Sequence, residues 1–124
     1  MEYKEKIGYT TFKRFCKTLE LRDDPKLIEE YKIAHAKGNA WPEITQGIKE
    51  VGILDMEIYF SGTRLFMIMD TIPEFDHDVA MAKLAKMPRQ SEWEAYMAKF
   101  QNSNPDASAK EKWQLVERVF KLDE

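Results

Sequence analysis

Tyr31 and His35 are the residues of this sequence whose types and spacing best suit acid–base chemistry. Four positions apart on a helix, their side chains stand one above the other on the same face and can point into one cavity. An imidazole of ordinary pKa gives and takes protons near neutral pH, and a phenol can orient it or a bound substrate. A lone histidine on an apolar face is more often a satisfied core residue, so residue type alone leaves packing as the commoner reading. Trp41, Trp93 and Tyr96 offer flat surfaces that suit sugar rings, whose C–H faces stack on indole, with core packing as the competing reading.

Other chemistries find little support. The two histidines stand at 35 and 77, with no H-x-x-x-H or H-E-x-x-H pairing for a metal. Asp76-His77-Asp78 is the one dense cluster, and it reads as a solvated helix N-terminus, where acidic side chains favour the dipole. The five glycines are scattered and form neither G-x-x-x-x-G-K nor G-x-G-x-x-G, which disfavours a nucleotide cofactor. Cys16, the single cysteine, falls in a strand-like run and reads as a small buried hydrophobe; it excludes an intrachain disulfide framework and fits a reducing compartment. Met56, Met67 and Met69 read as adaptable core fillers.

The elements that must position these residues follow from patterning. Phe12 to Leu21 reads as a strand. Asp23 or Asp24 caps a helix with Pro25 in its first turn, running to about Lys37 with Leu27, Ile28, Tyr31, Ala34 and His35 on one face. Gly38-Asn39 stops it, and Trp41-Pro42 restarts a helix that ends at Gly52. Ile53 to Phe60 and Arg64 to Thr71 read as a hairpin across Ser61-Gly62-Thr63. Phe75 to Met87 carries a ragged helical stripe, and Ser91 with Glu94 makes a capping box before Trp93, Tyr96, Met97 and Phe100. Asn102 to Ala109 is a turn-rich connector, and Trp113 to Leu122 returns to strand-like composition. The order β-α-β-β-α-β, each α a broken helix pair, is the split pattern of a ferredoxin-like α+β sandwich. Helices cover one face of such a sheet, so the other must find cover, and a homodimer is the expectation.

At 124 residues the chain has the length of one domain, 1–124, with 1–10 expected as a flexible N-terminal segment. Its net charge of −3 lacks the basic excess that nucleic acid or anionic membranes demand. The composition, 44% hydrophobic and 12% aromatic, is too rich for disorder, and no apolar run approaches a membrane span. The N-terminus lacks a secretory apolar segment, which makes the cytoplasm the default.

Glu30-Tyr31-Lys32-Ile33-Ala34-His35 followed by Trp41-Pro42-Glu43-Ile44 resembles the E-Y-x-x-x-H and W-P-E signature of the L-rhamnose mutarotase family. Ordered matches continue through Ile58-Tyr59, Arg64-Leu65-Phe66-Met67, Trp93 with Tyr96-Met97, Asn104-Pro105-Asp106 and Glu117-Arg118-Val119-Phe120. The resemblance implies a dimeric α/β barrel and an enzyme that interconverts α and β anomers of a 6-deoxy-L-hexose, L-rhamnose first, without a cofactor or metal. It implies His35 as the acid/base residue, with Tyr31 and Trp93 contacting the monosaccharide. Three departures accompany it: a longer Ala36–Ala40 interval than in the shorter members, Met56 where an aromatic is common, and Glu94 where some members carry a second tryptophan. They make L-fucose an alternative substrate and a non-catalytic sugar-binding dimer an alternative role. Strand alternation puts Asp55, Glu57 and Tyr59 on one face and Met56, Ile58 and Phe60 on the other, leaving open which face meets the helices.

Overall fold

The computed structural model describes residues 1–102 and 112–123. Its elements run β1 (Lys13–Glu20), α1 (Pro25–His35), α2 (Pro42–Glu50), β2 (Ile53–Ser61), β3 (Arg64–Thr71), α3 (His77–Leu84), α4 (Gln90–Ala98) and β4 (Gln114–Val116). The strands form one antiparallel sheet in the order β2-β3-β1-β4, and with the four helices this is a small α+β fold.

Local chemistry explains most boundaries. The Asp24 carboxylate accepts from the backbone N–H groups of Lys26 and Leu27 at 2.9 and 3.3 Å, and Pro25 fills the first helical position. α1 stops at His35, short of Lys37, because Ala36 turns extended and the Asn39 side chain donates to the Ile33 carbonyl at 2.8 Å. α2 ends before Gly52, whose φ of +101° a side chain would resist, and a Cβ there would meet Ile72 at 3.1 Å. α3 is shorter than its apolar stripe, starting behind Asp76, whose carboxylate accepts from the Val79 N–H at 3.3 Å.

The start of α4 and the last strand also differ from expectation. Ser91 caps nothing: α4 begins at Gln90, behind Arg89 in the left-handed region (φ 62°), so the Ser91–Glu94 capping box does not form. A tertiary contact holds Arg89 there, its guanidinium lying 4.1 Å from the Trp41 ring centre. The last strand is three residues long rather than Trp113 to Leu122. Among the described residues it pairs with Cys16, Lys17 and Thr18 of β1, and the Val119, Phe120 and Leu122 side chains beyond it are exposed.

β2 settles its own facing by a bulge between Ile53 and Asp55, which brings Ile53 onto the side of Met56 and Ile58, toward the helices. Glu57 is on the opposite side, where its carboxylate accepts from the Tyr59 hydroxyl at 2.8 Å, so no unpaired acid is forced into the core. Cys16 also lies on that outward face, paired with Ile68 and Val116 and half-buried, rather than in the core as expected. The same face carries Asp70, nearly buried, which accepts from Arg14 at 2.7 and 2.9 Å and from the Tyr9 hydroxyl at 2.6 Å. Burial alone would raise the Asp70 pKa; the Arg14 and Tyr9 hydrogen bonds outweigh it and hold the carboxyl below its usual value. A depressed native pKa contributes stability above the unfolded value near 3.8, lost as pH falls through the native one. Asp70→Asn should therefore lower the unfolding free energy by about 1–3 kcal/mol at pH 7. Urea titrations over a falling pH series check this, the gap between variant and wild type narrowing only below pH 3.8.

The core forms two clusters against the inward face of the sheet. Leu19, Leu21, Tyr31, Ile44, Leu65, Trp93, Met97 and Phe100 belong to one, and Val51, Ile53, Met67, Met69, Phe75 and Leu84 to the other. Ile48, Ile58 and Trp113 touch both. A cavity opens between them.

Candidate functional site

α1 brings Tyr31 and His35 to one end of that cavity, as their spacing requires, and α4 adds Trp93. The His35 ring centre lies 4.1 Å from that of Tyr31 and 5.4 Å, edge-on, from that of Trp93. Nδ1 of His35 is 2.8 Å from the Tyr31 carbonyl oxygen. A carbonyl only accepts, so in this geometry Nδ1 carries the proton and the neutral ring keeps its lone pair on Nε2. Among the described residues the His35 ring hydrogen-bonds through Nδ1 alone, which leaves Nε2 without a partner there. Burial pulls the His35 pKa below 6.5 and the Tyr31 carbonyl offsets part of this, so the imidazole is neutral, a base, at pH 7. Burial pushes the Tyr31 pKa far up, which keeps a phenol with no hydrogen-bond partner among the described residues.

Aromatic packing fixes this trio from behind. Phe100 meets Tyr31 edge-on at 5.8 Å, and Trp41 meets Trp93 at 5.1 Å. Tyr96 stacks on Trp41 at 6.0 Å. Of the three aromatics singled out as sugar surfaces, Trp93 lines the cavity while Trp41 and Tyr96 back it. Arg89 ties the starts of α2 and α4 together through Trp41, Glu43 and Glu92.

The cavity measures about 490 Å³, within the roughly 300–1,000 Å³ of small-molecule sites. Met56, Met67, Met69 and Met81 make much of its lining apolar, and Glu94 and Asp55 also reach it. Among the described residues no group of three or more His, Cys, Asp or Glu side chains is placed to hold a metal ion. Asp76 caps α3, and the Nδ1 of His77 lies 3.0 Å from Asp78.

The model of the L-rhamnose mutarotase family matches residues 14–122, across nearly all of this architecture. The chain belongs to the L-rhamnose mutarotase family. It is 37% identical over 114 residues to an L-fucose mutarotase of Xanthomonas campestris, covering 92% of this chain and 91% of that one. An L-rhamnose mutarotase of Flavobacterium johnsoniae is 32% identical over 96 residues, covering 76% of this chain and 82% of that one. The crystal structure of an L-rhamnose mutarotase from Formosa agariphila superposes with a TM-score of 0.67 at 23% identity, over 90% of this chain and 99% of that one, and so shares the fold. Among the described residues no helix of this mutarotase-family chain is long and apolar enough to cross a membrane.

Four nearly buried polar residues on the cavity escaped the sequence reading: Lys17, Gln90, Gln101 and Lys112. Lys17 left a visible signal, since Phe15, Lys17 and Leu19 alternate onto the inward face of β1 and a lysine there is out of place. Gln90 sits one turn before Trp93 on the same α4 face, a weaker signal, and Lys112 left none. Asn104-Pro105-Asp106, part of the family resemblance, lies outside the described residues.

Proposed function

We propose that this chain is a cofactor-independent mutarotase that interconverts the α and β anomers of a 6-deoxy-L-hexose, with His35 as acid/base and Tyr31 and Trp93 as sugar contacts. The observation that carries the reading is an imidazole held in one tautomer, its Nε2 left unbonded by any described residue, at the wall of a cavity with room for a hexose in a member of this family.

The chemistry follows from those groups. Neutral Nε2 takes the proton of the anomeric hydroxyl as the C1–O5 bond breaks, giving the open-chain aldehyde. The imidazolium returns that proton to O5, and no net proton is consumed. Rotation about C1–C2 presents the other carbonyl face, and the reverse steps close the ring as the other anomer. The Tyr31 hydroxyl donates to a sugar oxygen, and Trp93 offers a flat apolar surface to the C–H face. The barrier is modest in water, so positioned acid–base help of about 10²–10⁴-fold makes a useful enzyme.

The family name points to L-rhamnose. L-Fucose is the second reading, favoured by the higher identity and cover of the Xanthomonas relative and by Met56 and Glu94 on the cavity wall. The strand order β2-β3-β1-β4 supports a ferredoxin-like sheet. Tyr59, Phe66 and Val116 on its uncovered face and Val119, Phe120 and Leu122 beyond β4 are exposed, which supports a dimeric barrel closed by a second copy.

Polarimetry of freshly dissolved α-L-rhamnose and α-L-fucose tests the activity. The reading requires rotation to approach equilibrium faster than in a weakly catalytic buffer alone; equal rates for both sugars reject it. The pH dependence is a further expected outcome. Because the His35 pKa is lowered, kcat/KM should rise with pH toward a plateau, with an acidic limb whose midpoint lies below 6.5. A limb centred above 7 would assign the titration to another group.

A further inference from the structure

We infer that the Lys17 ammonium contacts the sugar, donating hydrogen bonds to ring hydroxyls remote from the anomeric carbon. The inference rests on the mutarotase reading and adds a residue to its site. Lys17 lies mid-strand on β1, paired with Met67 of β3 and Leu115 of β4, and is only 3% exposed. Its Nζ donates to the Met81 sulfur at 3.6 Å. A thioether is a weak acceptor and occupies one of three ammonium donors. Among the described residues no stronger acceptor is in hydrogen-bond reach of Nζ, and a nearly buried lysine so placed is unusual, because burial disfavours the charge unless it is paired and hydrogen-bonded. The strain shows in its pKa: burial pulls it down to about 8, against the opposing pull of Asp78.

Position supplies the rest. Leu19, two residues along β1, belongs to the core cluster around Tyr31 and Trp93, whereas Met81 packs on the other cluster. Lys17 therefore stands on the sheet floor where the two clusters part, and it lines the same cavity as His35. With C1 and O5 held at His35 on the α1 wall, the opposite edge of a pyranose extends toward that floor. A 6-deoxy-hexose presents vicinal hydroxyls, which accept well from an ammonium, and one methyl group that suits the methionines. Gln90 and Gln101 reinforce the polar character of this cavity, for each is nearly buried and has a carboxamide oxygen with no partner among the described residues.

The test compares wild type with Lys17→Met, which matches the methionine-rich surroundings, and Lys17→Gln, which keeps a donor without charge. Exchange NMR over a range of L-rhamnose and L-fucose concentrations gives KM and kcat, and sugar-induced thermal shifts give binding independently. Loss of a charge-assisted hydrogen bond predicts KM higher by roughly 10- to 100-fold in Lys17→Met, a smaller fall in kcat, and an intermediate Lys17→Gln. Unloaded Lys17→Met should be as stable as wild type or more so. Wild-type acceleration with KM and thermal shift unchanged in both variants overturns the inference alone. A wild type that binds sugar without accelerating exchange overturns the mutarotase reading, and Lys17 stands if its variants lose that binding. A wild type that binds neither sugar overturns both.

Discussion

His35→Ala should lose the enzyme-catalysed part of anomer exchange, a fall of about 10²–10⁴-fold in kcat, while the chain stays folded. The fall follows from the placement of Nε2, which is the site nitrogen left with a lone pair once Nδ1 donates to the Tyr31 carbonyl. The fold survives because His35 is only half-buried and its removal strands no charge. His35→Asn sharpens the result. Asparagine keeps a side-chain donor but has no titratable nitrogen, so it should be as inactive as alanine if proton transfer, rather than packing, is the role. Rates by exchange NMR and fold by circular dichroism decide it; undiminished exchange in either variant would remove His35 from the mechanism.

Phe100→Ala should cost about 3–5 kcal/mol of unfolding free energy, the largest stability effect expected of a single truncation here. Phe100 is 1% exposed and packs edge-on against Tyr31 at 5.8 Å and Tyr96 at 5.4 Å. It also anchors the end of α4, its carbonyl accepting from the Arg22 N–H at 2.9 Å. The ring does not line the cavity, so its loss reaches the site through Tyr31, which loses its backing. Since a small domain holds only about 5–15 kcal/mol, the variant should be marginal at 37 °C and should bind sugar more weakly. Urea unfolding at 25 °C measures the first effect. A loss under 1 kcal/mol would mean that the aromatic wall of the site is not continuous with the core.

What could be read from the sequence divides along local and tertiary causes. β3 starts just after Gly62 and ends just before Pro73, and α1 begins where Asp24 and Pro25 cap it; these signals lie within a few residues of the boundaries they set. The last strand was not legible, because strand-like composition makes a strand only where an edge is available, and β1 offers three residues of pairing. α4 begins at a left-handed Arg89 because of a ring in α2, a contact no local pattern announces. In the site, helical spacing alone put Tyr31 and His35 together. Trp93 joined them through the family resemblance, since it arrives from a separate helix. Gln101, beyond the end of α4 in a bridge to Leu21, left no mark in residue type or spacing, whereas the inward lysine of β1 is visible from alternation alone.

The most direct measurement of the central claim is proton saturation transfer between the α and β C1 signals of L-rhamnose and of L-fucose at equilibrium, with D-glucose in parallel. Transfer above the buffer rate is expected for at least one 6-deoxy sugar, proportional to enzyme concentration and absent with His35→Ala. Transfer no faster than buffer for either 6-deoxy sugar, with folded wild-type protein in the tube, would contradict it.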